Sequence, residues 1–229
     1  MIPQETSPRP LAIALLSGGM DSCVAAAMVR TDHDLALLHV SYGQRTEGRE
    51  RRAFEAIARH YGVTRTLVTR GEPLAAIGGS ALTDARRDAV HARRAGSTIP
   101  DTYVPFRNTH LLAVAVSWGE VIGARCVVIG AVEEDSSGYP DCRREYYAAF
   151  NRLIRVGTRP ETTIEVVTPV IELGKGEIVR RGLALGAPLH LTWSCYVEEE
   201  VACGRCESCR LRLKGFRDAG AVDPLSYHE

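Results

Sequence analysis

Apolar positions fall along the chain in two kinds of run. Residues 11–16 and 35–40 are short and almost wholly apolar, residues 64–69 alternate, and residues 125–132 repeat the first type. Their length and composition are those of strands. Between them the spacing becomes helical. Residues 21–30 are rich in Ala, Val and Met, and residues 47–61 place Phe54, Ile57, Ala58 and Tyr61 on one face. Residues 108–122 read as a buried helix, 143–156 and 176–185 as further helices, and 162–167 as a last strand. Strands alternating with helices predict an α/β fold, a doubly wound parallel sheet with helices on both faces. Such sheets bind ligands at the carboxyl ends of their strands, where the strand order switches. Residues 70–105 break the pattern with scattered Gly, Pro, Ser and charge, which predicts an insertion or mobile loop over the site. Residues 135–141 form a polar turn. The stretch near the C-terminus is short and cysteine-dense, so the chain divides into a nucleotide domain, 1–190, and a small metal module with a helix, 191–229, packed on it.

Composition narrows the function. At 229 residues and 45% apolar, the chain can bury a sizeable core. It has 28 basic and 28 acidic residues, so no global field attracts nucleic acid or an anionic membrane. No apolar run approaches the ~20 residues that span a bilayer. Residues 1–10 are polar, with three prolines and no signal-like stretch, and a cytoplasmic enzyme is expected. Two of the basic residues, Lys175 and Lys214, are lysines, so each draws attention.

The first strand ends at Leu16 and runs into Ser17, Gly18, Gly19, Met20, Asp21 and Ser22, where a helix opens. Two glycines let the backbone approach a ligand closely. The N–H groups at a helix start point at an anion, and the helix dipole favours negative charge there. Asp21 would hold the loop or a magnesium ion rather than touch phosphate itself. There is no Walker Gly-Lys-Ser/Thr and no Gly-x-Gly-x-x-Gly. A helix-capping turn is the competing reading, but six consecutive positions in a strand–turn–helix setting favour a phosphate loop.

Cys195, Cys203, Cys206 and Cys209 lie within fifteen residues. Four thiolates suit a closed tetrahedral zinc site. An iron–sulfur cluster uses the same count, but the sharp Cys203-Gly204-Arg205-Cys206 turn favours a zinc knuckle. Cys23 and Cys126 sit in apolar elements and read as core, with Cys142 less easily placed. His39 and His110 also lie on apolar elements and read as core or cap residues.

The loop resembles the Ser-Gly-Gly-x-Asp-Ser signature of the PP-loop ATP pyrophosphatases, whose fold is that of the adenine nucleotide alpha hydrolases. Further stretches resemble one family among them, the 7-cyano-7-deazaguanine synthases of queuosine precursor synthesis. They are Tyr42 to Arg45, Tyr103 to Asn108, Asp135 to Arg143 with Glu145, Leu173 to Ile178, and Thr192 to Tyr196 leading into the cysteines. Thr46 stands where that family usually has His, and Gly176 where it commonly has Ala. The resemblance implies a homodimeric ligase that uses ATP, with Mg2+ and structural Zn2+, to convert 7-carboxy-7-deazaguanine and ammonia to the nitrile through adenylates. It implies that Leu16 to Ser22 bind ATP, that Lys175, Arg107 and Arg143 neutralise phosphate or carboxylate charge, and that Gln44, Arg45, Asp135, Tyr139 and Asp141 contact the deazapurine. Three rival readings stand beside it. The activated acyl group could pass to an amine on a protein or other acceptor, and the chain could be a tRNA-modifying relative. Zero net charge and the lack of a basic, aromatic-rich stripe argue against the latter. A zinc-knuckle binding module on a degenerate nucleotide fold is the least enzymatic, and the intact loop argues against it.

Overall fold

The computed structural model describes residues 9–84, 86–90, 99–133 and 138–228. Five strands form one parallel sheet in the order β3-β2-β1-β4-β5: β1 (Leu11–Leu15), β2 (Asp34–Ser41), β3 (Thr66–Arg70), β4 (Cys126–Ile129) and β5 (Glu165–Val167). The chain winds outward from β1 through β2 to β3, then returns to β1's other side as β4 and β5. The switch in strand order therefore lies between β1 and β4, paired in register from Ala12 opposite Cys126 to Leu15 opposite Ile129. The crevice outside their carboxyl ends is where ligands bind in such sheets.

Alternation along β1 divides the core into two layers. Ala12, Ala14 and Leu16 face α1 (Met20–Val29), α2 (Glu47–Tyr61), α6 (Lys175–Ala184) and α7 (Glu207–Asp218), whose core side chains include Val24, Ile57, Ile178 and Phe216. Ile13 and Leu15 face α4 (Arg107–Ile122) and α5 (Arg144–Gly157) through Leu112, Phe150 and Ile154. Full burial of both faces explains why β1 reads as unbroken apolar sequence. Each fully buried Leu or Ile here contributes about 1.5–3 kcal/mol.

Helix α2 spans the residues its periodicity predicts, with Phe54, Ile57 and Ala58 buried and Gly62 closing it in the left-handed region. The segment 70–105 holds a short helix, α3 (Glu72–Ile77), with a proline in its first turn. Helix α4 is buried along one side rather than all round: Val121 is 79% exposed, and His110 is exposed rather than a core histidine. Strand β4 stops at Ile129, short of the predicted residue 132, because Gly130 leaves the ladder to pack on the turn after β1. Strand β5 starts at Glu165 rather than 162, where the Thr162 N–H instead closes a turn on the Arg159 carbonyl. No described helix is long and apolar enough to cross a membrane.

Candidate active site and metal centre

The turn after β1 is built to leave donors open. Gly18 has φ +90°, and Gly19 caps α1 with an extended backbone and no side-chain cap bond. The Gly19 N–H goes to Ser17 Oγ at 3.2 Å, and Ser22 Oγ donates to the Gly19 carbonyl at 3.0 Å. The first N–H groups of α1 are thus the uncapped donors of a helix start, suited to an anion. Lys175, the first residue of α6, is nearly buried, and its ammonium lies 2.7 Å from Asp21 Oδ2. Asp21 Oδ1 is buried without a hydrogen-bond partner among the described residues. The segment after α6 reaches the same turn, where the Trp193 N–H donates to the Gly18 carbonyl at 2.8 Å.

A cavity of about 280 Å³ joins this turn to a second group of side chains. Leu16, Ser17, Gly19, Met20, Asp21, Ser22 and Lys175 line it, as do Gln44, Arg45, Arg107 and Tyr139. Arg107 is oriented by its element. Phe106 takes a left-handed φ of 58° just before α4, and Asp141 Oδ2 accepts the Asn108 N–H at 2.9 Å. The Arg107 guanidinium then lies over the Tyr42 ring, 5.5 Å from its centroid, and donates to the Tyr42 hydroxyl at 3.1 Å. Tyr139 is buried, its hydroxyl donating to Thr102 at 2.7 Å and its ring 5.6 Å from that of Tyr103.

The other sequence candidates are placed differently. Arg45 donates from Nε and Nη2 to the carbonyls of Ala81, Asp84 and Arg87, so it organises the insertion as well as lining the cavity. Gln44 uses both ends of its amide inside the protein, accepting from the Tyr42 N–H and donating to Glu50. Asp141 holds the first turn of α4 and does not line the cavity. Arg143 precedes α5, is exposed, pairs with Glu145 at 3.8 Å and also stands outside the lining. Asp135 lies outside the described residues.

Glu50, Tyr196 and Cys142 are three of the lining residues that carried no role in the sequence reading. Glu50, in the first turns of α2, accepts from Thr46 Oγ1 at 2.8 Å and from Gln44 Nε2 at 3.0 Å. Burial pushes its carboxyl up to about 7, against the two hydrogen bonds and the Arg107 charge, which hold it down. The signal was present: Glu50 is four residues before Phe54, on the apolar face of the helix, where a carboxylate needs a reason. Tyr196 also lines the cavity, and burial raises its hydroxyl far above the usual range. Cys142 is the third. Burial pushes its thiol up to about 11, which makes it a neutral side chain and a poor nucleophile.

The four cysteines come together as a cluster, all thiol sulfurs lying within 4.8 Å of one another. The N–H groups of Val197, Glu198 and Cys203 converge on Cys195 Sγ at 3.3–3.4 Å, and the Cys206 N–H on Cys203 Sγ. Such donors stabilise thiolates, and the set fits a metal ion with four sulfur ligands. Cys23 and Cys126 are buried in the core as their apolar elements predict.

The profile of a family described as "Queuosine biosynthesis protein QueC" matches residues 11–220. The 7-cyano-7-deazaguanine synthase of Koribacter versatilis (strain Ellin345) is 56% identical over 220 residues, covering 94% of this chain and 92% of that protein. That of Acidobacterium capsulatum is 55% identical over 226 residues, covering 97% and 98%. A solved structure described as a predicted subunit of tRNA methyltransferase from Methanocaldococcus jannaschii covers 96% of this chain and 93% of its own, with a TM-score of 0.50. At 12% identity that likeness concerns the fold alone.

Proposed function

The chain belongs to the QueC family of queuosine biosynthesis, and from that membership we infer that it is an ATP-dependent ligase making 7-cyano-7-deazaguanine from 7-carboxy-7-deazaguanine and ammonia. One observation carries the reading beyond the family. A single cavity holds an open helix start for phosphate, the Lys175 charge, and the aromatic and guanidinium surfaces of Tyr42, Tyr139 and Arg107.

The chemistry needs these parts together. A carboxylate oxygen is a poor leaving group until it carries a phosphoryl group. The substrate carboxylate attacks the α-phosphorus of ATP and pyrophosphate leaves, giving an acyl adenylate. Ammonia displaces AMP to form the amide. A second adenylation, on the amide oxygen, lets AMP leave again as the nitrile forms. The N–H groups opening α1, with Ser17 and Ser22, would grip the pyrophosphate, and Lys175 would neutralise it. Arg107 would hold the reacting carboxylate, which a guanidinium matches in shape and charge. Tyr42 and Tyr139 would offer ring faces to the deazapurine. Asp21 Oδ1, buried and without a partner among the described residues, fits a magnesium ligand, and magnesium would neutralise charge on the phosphates. Cys195, Cys203, Cys206 and Cys209 would hold zinc, with no open position for chemistry. The resemblance further implies a homodimer, which sedimentation at several concentrations would check.

Incubation with ATP, 7-carboxy-7-deazaguanine and ammonium, followed by mass analysis, is expected to show the nitrile, pyrophosphate, and twice as much AMP as nitrile. Release of orthophosphate without AMP would end the assignment. A stable adenylate that ammonia leaves untouched would redirect it to another amine acceptor.

A further inference from the structure

Every step after adenylation removes a proton from nitrogen. Ammonium must become ammonia before its lone pair can attack. The nitrogen then loses another proton as the amide forms, and its last two as the nitrile forms. At neutral pH these transfers call for a proton acceptor within the cavity.

Among the described lining residues the carboxylates are Asp21 and Glu50. Asp21 is engaged by the Lys175 ammonium at 2.7 Å. Cys142 and Tyr139 carry their protons too tightly, at about 11 and about 12. Glu50 differs. Its two oxygens each take one hydrogen bond, from Thr46 and Gln44, which aims the carboxylate while leaving acceptor capacity on both. Its own main-chain oxygen lies 2.6 Å from where a Cβ on Gly18 would sit, so the first turns of α2 are packed directly on the phosphate turn. The charge of Arg107, the candidate holder of the reacting carboxylate, acts on it.

We propose that Glu50 is the base that takes protons from nitrogen in both halves of the reaction, a role that rests on the ligase reading above. In the first half, Glu50 takes a proton from ammonium and releases it to solvent. The nitrogen lone pair forms the C–N bond at the acyl carbon, the C–O bond to AMP breaks, and the proton left in excess on nitrogen passes to Glu50. Glu50 returns each proton to solvent before it acts again. In the second half, the amide oxygen bonds to the α-phosphorus, pyrophosphate leaves, and the nitrogen gives up a proton to Glu50. Glu50 then takes the remaining N–H proton as the C–O bond breaks, AMP departs and the carbon–nitrogen triple bond forms. Thr46 thereby gains a role as the positioning residue that donates to this carboxylate.

The test compares two nitrogen nucleophiles. Glu50→Gln is expected to keep ATP–pyrophosphate exchange driven by 7-carboxy-7-deazaguanine, yet lose about 100-fold or more of its ammonia-dependent turnover. Hydroxylamine, already a free base at neutral pH, is expected to restore most of the rate and yield the hydroxamate. The groups facing Glu50 are Thr46 and Glu47 at the start of α2, Gln44 and Tyr42 before it, and Arg107 of α4. With total ammonium constant, the wild-type rate is expected to rise with pH through about 7 and level off. The variant should keep climbing with free ammonia, so its deficit narrows at high pH. Thr46→Val removes a bond that favours the carboxylate, and should move the wild-type inflection to higher pH, which decides the matter even if the Gln variant fails to fold.

Wild-type ammonia turnover in the Gln variant would overturn the proposal. So would an equal deficit with hydroxylamine together with a raised KM for the carboxylate, which would make Glu50 a reader of the heterocycle's N–H edge. Failure of the wild-type protein to make nitrile from ammonia would instead overturn the ligase reading.

Discussion

Gly130 shows how much a single residue can decide. A Cβ there would lie 2.5 Å from the Ser22 nitrogen and 2.7 Å from the Asp21 carbonyl carbon, both main-chain atoms that cannot swing aside. The glycine lets the end of β4 press against the turn that opens α1, across the strand switch. Gly130→Ala should therefore displace the phosphate turn, and a shift of about 1 Å in such a site can cost about 100-fold. ATP–pyrophosphate exchange measures that loss directly, and an unchanged rate would show that the turn tolerates displacement. Gly130 had no motif to mark it in sequence, because its constraint comes from the start of α1, over a hundred residues upstream. Glu50 was half legible. Its place on the apolar face of α2 could be counted from the periodicity, but its partners Gln44 and Thr46 become partners through the bend of the chain that precedes the helix. Arg107 and Arg143 look alike in sequence, each in a matching motif. Only the start of α4 turns the first into the cavity, while the second faces solvent beside Glu145.

At the scale of elements, the cysteine module and the phosphate turn share a strut. The module's entry segment donates from the Trp193 N–H to the Gly18 carbonyl, and the Trp193 ring carries the Arg49 guanidinium of α2 at 4.4 Å. Glu199, within the module, accepts the Arg49 N–H at 3.1 Å. The module thus grips both the turn and the helix that holds Glu50. Arg212 of α7 braces it from behind, with both its Nε and Nη2 on Asp223 at 2.8 and 3.0 Å and Nη1 on Thr192. Removing metal from the four thiols should loosen this strut, since folding energy in such knuckles comes from the metal. Chelation, or Cys206→Ser, is expected to lower the thermal midpoint by several degrees or more and weaken ATP binding in calorimetry. A chelated protein with the same midpoint and affinity would show that the cluster braces nothing. The cysteine spacing announced the cluster of four thiols. The strut could not be foreseen, because Trp193 and Gly18 are 175 residues apart.

For the whole molecule, we propose that segments 1–190 and 191–229 form a single folding unit. Phe216 of α7 is 2% exposed and belongs to the same core as Val24 and Ile178, and Trp193 covers Ala53 of α2. A fragment ending at residue 190 would expose these surfaces to water. It is expected to give no cooperative unfolding transition by circular dichroism, whereas a sharp transition would show that the nucleotide domain stands alone.

Much of this architecture could be read before any coordinates. The strands and helices, their alternation, the phosphate turn and the four thiols are carried by period and spacing, which the backbone's own geometry imposes on neighbours in sequence. That is why α2 runs over the residues its pattern indicates, and why errors gathered at 70–105 and at the ends of β4 and β5, where local pattern is weak. What the tertiary structure alone decided is which distant groups meet: Gly130 with Ser22, Trp193 with Gly18, Lys175 with Asp21, and Glu50 with the cavity that Arg107 enters. Those meetings follow from the reversal of strand order between β1 and β4, and no local period encodes it, because it is settled by which faces bury the most apolar surface once the whole chain is packed.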